Sequence, residues 1–130
     1  MIELDLVARE LTECGFTEVF TTPVDVSACA EPIVLRPGAW ERESRQADGG
    51  ERGTRAVEVL VVREHDEAAA ADCSEVERAL RSAPWAGAPM GGVRMVAVDS
   101  AAPDFIERDG SGRYVWGLSL TLTIVRGFDG

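Results

Sequence analysis

The stretch RYVWGLSLTLTIVR, residues 113–126, decides the fold. Its even positions, Tyr114, Trp116, Leu118, Leu120, Leu122 and Ile124, are all apolar, and between them stand Arg113, Gly117, Ser119, Thr121 and Thr123. Side chains alternate between the two faces of a strand, so this strict period of two describes one buried face and draws no helical stripe. Strands usually stop at about six residues. A run of this length either crosses a whole sheet or projects beyond it toward another subunit. The preceding RDGSG, residues 108–112, supplies Gly, Asp and Ser for a tight turn, which makes 103–107 the short first arm of a hairpin.

Working outward, RAVEVLVVR at 55–63 is rich in β-branched residues and bounded by charge, the pattern of a central strand buried on both faces over part of its length. A further strand is expected at 93–98. The alanine-rich segment 67–82 sets Ala69, Cys73, Val76 and Leu80 at spacings of four, three and four, which is one stripe of a helix. A second stripe, Leu4, Val7, Leu11 and Cys14, marks a helix over 2–14 with Gly15 as its stop. Short extended pieces at 18–21, 24–27 and 32–36 are punctuated by Pro23 and Pro32. The segment 83–92 has too much Gly and Pro for regular structure, with Trp85 placed to cap the preceding helix. Between these elements, 37–54 mixes Gly38, Gly49, Gly50 and Gly53 with charged residues and almost no apolar content, the composition of a mobile loop. Strands run together toward the end of the chain. The fold class is therefore α+β: a mainly antiparallel, twisted sheet of about four to five strands with two helices on one face.

The length of 130 residues suits a single domain spanning 1–130. No apolar run approaches the roughly 20 residues that cross a bilayer, and no basic-then-apolar leader opens the chain, so the expected setting is the bacterial cytoplasm. The formal charge is −10 and every basic residue except His65 is arginine. An acidic surface repels phosphate backbones, which argues against nucleic-acid binding. A GC-rich coding sequence accounts for the missing lysines better than selection for arginine contacts does. The cysteines, Cys14, Cys29 and Cys73, are an odd number without metal-type spacing and read as reduced thiols.

Catalytic readings are thin. His65, beside Asp66 and eight residues before Cys73, could in principle activate a thiolate. Cys73, however, falls on an apolar helical stripe, where it serves as a small hydrophobe, and His65 with Asp66 reads as the polar lead into the helix. No metal-ligand spacing, phosphate loop or dinucleotide fingerprint is present, so neither a cofactor nor an enzymatic activity is expected. Trp40 stands alone in the charged stretch. Exposed aromatics and arginines anchor protein interfaces, which makes Trp40 with Arg42 and Arg45 candidate contact residues; the alternative is that Trp40 folds back on its own sheet.

The order from residue 55 onward, a strand, an alanine-rich helix, a strand, then Pro103 and the Gly/Asp turn leading into a long final strand, resembles the tail terminator proteins of long-tailed bacteriophages, also described as minor capsid, tail completion or head-tail joining proteins. The N-terminal helix and the polar stretch before the central strand also fit, so the resemblance spans nearly the whole chain. It implies a hexameric ring that caps the tail tube, stops its polymerisation and joins it to the head in the virion. Its partners would be further copies of itself, the tail tube protein and a head-completion protein. Sheets would meet edge to edge around the ring, 37–54 would reach the tube, and DNA would pass an acidic lumen without specific binding. In that setting Thr121, Thr123 and Val125 lie where neighbouring subunits meet. The rival reading is a small oligomeric binding module or adaptor that takes up a peptide strand along an exposed sheet edge.

Overall fold

A computed structural model describes residues 2–21, 29–45, 49–83, 85 and 91–127. Helix α1 (Ile2–Glu13) is followed by strands β1 (Val19–Phe20), β2 (Ile33–Arg45) and β3 (Glu51–Arg63), helix α2 (Asp66–Ser82), and strands β4 (Val93–Ser100), β5 (Asp104–Arg108) and β6 (Tyr114–Arg126). The sheet has six strands, more than the four to five expected, in the order β1-β2-β3-β6-β4, with β5 also on β6. All pairs are antiparallel except β1 with β2. The short extended piece expected at 18–21 is realised as β1, two residues held parallel to Ile33 and Val34. The extended piece expected at 24–27 lies outside the described residues.

The alternation in β6 is realised as written. Leu118, Leu120, Leu122 and Ile124 are buried with Val57, Val59 and Val61 of β3 and with Ile33 and Leu35 of β2. Both helices cover this face. From α2 come Ala69, Cys73, Val76 and Leu80; from α1 come Leu4, Leu6, Val7 and Leu11. Each Val, Leu or Ile among them contributes on the order of 1.5–3 kcal/mol by leaving water. Gly15 ends α1 with φ +97°, and the Phe16 amide donates to the Leu11 carbonyl, a Schellman closure. Cys14, expected on the α1 stripe, is instead exposed just past the helix end. Trp85 caps α2 as expected, its indole Nε1 donating to the Leu80 carbonyl at 2.9 Å.

The stretch 37–54 is not a loop. It is the outer part of the β2–β3 hairpin, paired from Pro37 with Val57 to Arg45 with Glu51, and only 46–48 lie outside the described residues. Composition misled here because the charges that suggested solvation pair across the two strands. Arg36 bonds Glu58, Arg52 meets Glu43 at 3.4 Å and Arg42 meets Glu51 at 3.9 Å. Each exposed pair is worth only a few tenths of a kcal/mol. The hairpin's register is held more firmly by Trp40, whose ring packs over Gly53.

β6 is central, not projecting. One side pairs with β3 over its full length; the other is shared by β5, along Tyr114–Gly117, and β4, along Leu120–Arg126. The sheet's free edges are therefore elsewhere. β1 covers only the first two residues of β2, so among the described residues no strand pairs with the outer edge of the rest of β2, nor, on the opposite side of the sheet, with the outer edges of β4 and β5.

Candidate functional site

The six residues expected at an interface divide into two sets. Trp40, Arg42 and Arg45 pair with Arg55, Gly53 and Glu51, which stand opposite Leu122, Ile124 and Arg126, so they lie on the helix-bearing side of the hairpin. Thr121, Thr123 and Val125 occupy the opposite, open face of the sheet. The structure does not bring the two sets together. Both edges of β6 are already hydrogen-bonded, so Thr121, Thr123 and Val125 have only their side chains to offer a neighbour. Arg45 is exposed, and Arg42 is exposed with Glu51 as its partner.

Trp40 takes its alternative role and folds back. Two guanidinium groups pack over its ring, Arg126 at 3.9 Å and Arg55 at 5.6 Å from the ring centre. Both arginines also bind the carboxylate of Glu3, Arg126 directly and Arg55 at 3.4 Å, and Arg55 donates to the Gly38 carbonyl at 3.0 Å across a bulge in β2. Glu3 is 3% exposed. Burial alone would raise its pKa, but its own backbone amide and the two arginines outweigh this and hold the carboxyl below its ordinary value. The cluster ties the start of α1, the base of the hairpin and the end of β6 into one unit. Nothing in the sequence flags Glu3 beyond an acid in a helix's first turn, and its partners lie 52 and 123 residues away.

The open face is small and neutral at its centre. A shallow groove of about 420 Å³ is lined there by Arg36, Gly38, Ala56, Glu58, Ser119 and Thr121. Glu58 stands across from Ser119 there, and its carboxylate is held by Arg36. The thiolate reading of Cys73 meets a physical obstacle: the side chain is fully buried, and burial, with the Glu77 carboxylate adding, pushes the thiol up to about 11. Among the described residues no group of three or more His, Cys, Asp or Glu converges as a metal site, and no helix is long and apolar enough to cross a membrane. The Asp109 carboxylate shapes the β5–β6 turn. It accepts from the Ser111 and Arg113 amides and from Arg113 Nε, and these bonds hold it below its ordinary value despite some burial. Arg113 in turn donates to the carbonyls of Cys29 and Ala30.

Exposed large apolar side chains gather on one edge: Val96 of β4 and Phe105 and Ile106 of β5. Val96 and Ile106 sit where β4 and β5 each carry a bulge against β6. Ile106 leans over Gly117, where an added Cβ would meet it at 2.8 Å. An apolar edge strand with unpaired backbone groups is a template for pairing with another chain.

No family model matches the chain, and no curated protein matches it. Among solved structures, a chain of the virion of a native gene transfer agent particle is similar, with a TM-score of 0.64 and 14% identity, over 94% of this chain and 91% of that one. At that identity the likeness is one of fold: the α+β arrangement described above is also that of a chain in a gene transfer agent virion.

Proposed function

We propose that the chain is a structural component of a phage or prophage-like particle, a tail terminator that caps the tail tube as a ring and joins it to the head. The observation that carries this reading is the pair of edges, on opposite sides of one sheet, that no strand among the described residues covers: β2 beyond Val34 on one side and β4 with β5 on the other. An interface built from two different patches is heterologous, and heterologous contacts close into rings when the rotation per subunit allows. The virion-borne fold of the gene transfer agent chain supports the particle setting. On both helices acidic residues outnumber arginines, which suits a component past which DNA must move without sticking. The hairpin end, with its alternating Glu41, Arg42, Glu43 and Arg45, is the part offered to the tube.

The test is deletion of the gene in a cell that produces the particle, followed by electron microscopy of the lysate. The expected result is tail tubes of uncontrolled length and heads lacking tails. Length-controlled tails on joined heads would remove the reading.

A further inference from the structure

The outer edge of β4 has a symmetry of its own. In a regular strand Arg94 and Asp99, five positions apart, would point to opposite faces. The bulge at Val96 shifts the alternation by one residue: Arg94 stands beside Val125 and Asp99 beside Thr121, both on the open face, while Val93, Met95, Val98 and Ser100 stand beside Arg126, Ile124, Leu122 and Leu120 on the helix side. Val96 is 42% exposed, and both Arg94 and Asp99 are exposed. Neither of these two charges has an ion-pair partner among the described residues, although most other strand arginines do.

We propose that β4 is a self-recognition edge, at which two copies of the chain pair antiparallel about a two-fold axis between Val96 and Ala97. That register places Arg94 opposite Asp99 of the second copy and, by symmetry, Asp99 opposite its Arg94. Val96 then lies opposite Ala97, Met95 opposite Val98, and Val93 opposite Ser100. Arg94 with Asp99, Met95 with Val98 and Val93 with Ser100 each share a face of the extended sheet, which a strand without the bulge could not achieve in any register joining the two charges. Charge complementarity therefore selects the second copy as the occupant, and it selects the antiparallel, isologous arrangement: a parallel pairing in register would put arginine against arginine and aspartate against aspartate. The dimer uses the same β4 edge that ring closure requires, so free subunits hold that edge covered until a growing ring or a tube end displaces the partner. The contact itself stands independently of the particle reading.

Sedimentation equilibrium between about 5 and 200 µM tests it. Across that range the mass is expected to rise from 14.0 kDa toward twice that value. Arg94→Asp or Asp99→Arg alone brings like charges together at two symmetry-related positions and should weaken the dimer roughly tenfold or more, and the combined Arg94→Asp/Asp99→Arg variant should restore it. Both positions are exposed, so circular dichroism is expected to show each variant folded. A monomer at every concentration, a dimer indifferent to the single reversals, or a double reversal that fails to restore pairing would each overturn the proposal. If the dimer fails while gene deletion still gives overlong tails, the self-pairing is wrong and the terminator reading stands.

Discussion

Replacing Glu3 with glutamine is expected to lower the unfolding free energy by about 3 kcal/mol, in the range for removing one partner of a buried ion pair. The substitution keeps the side chain's size but leaves Arg55 and Arg126, whose side chains are 13% and 32% exposed, without their shared anion. Trp40 then packs against two uncompensated cations. The wild-type pH dependence carries the same signature. The folded-state pKa of Glu3 is depressed below its ordinary 4.5, so its contribution is complete above that value and disappears as the pH falls through the folded pKa. Asp109 is depressed as well and adds a slope of the same sign. Chemical denaturation at pH 7 and at pH 3.5 should therefore show the wild type losing stability in acid and Glu3→Gln losing less of it. Equal acid losses in the two proteins would contradict the assignment of Glu3 as the anchor.

Gly53→Ala should cost a comparable amount by a different route. An added Cβ would lie 2.4 Å from the Glu41 carbonyl oxygen and 2.7 Å from the Trp40 ring, so backbone on one side and a clamped indole on the other must move. Overpacking of this kind costs about 1–3 kcal/mol, and the upper end applies where backbone must give way. Gly110→Ala is the control, because nothing lies within 4 Å of its added Cβ. Thermal melts should place Gly53→Ala roughly 10 °C below the wild type and Gly110→Ala close to it. A Gly53→Ala melt as high as that of the control would mean that Trp40 is not packed over Gly53.

These two residues also mark the boundary of what the chain's letters reveal. Period-two and period-3.6 patterns are local, so β6, β3 and α2 could be read directly: Leu118, Leu120 and Leu122 on one side of β6, and Ala69, Cys73, Val76 and Leu80 on one side of α2. The outer part of the β2–β3 hairpin could not. The one large apolar side chain of its outer part, 37–54, is Trp40, and the order there comes from pairing residues across strands and from Glu3, which is remote in sequence. Composition reported charges; it had no means of showing that Glu43 faces Arg52 or that Arg126 closes over Trp40. The length of β6 suggested a projecting end, but β4 returns to cover that end, and no local pattern encodes the return. The bulge at Val96 is equally silent in sequence, and it alone brings Arg94 and Asp99 to one face.

The open edges carry the functional account, and cross-linking tests them directly. Ser44 of β2, opposite Arg52, and Val96 of β4, exposed at its bulge, lie toward the same end of the sheet on its two opposite edges. A chain carrying Ser44→Cys and Val96→Cys, with Cys14 and Cys29 replaced by serine, would be incorporated into particles and oxidised. Head-to-tail pairing of β2 with the next copy's β4 predicts a ladder of covalent multimers ending in one closed species, whereas Val96→Cys alone should give nothing above two copies. Particles containing the chain but yielding only monomers, or no more than dimers from the doubly substituted chain, would contradict the edge-to-edge ring.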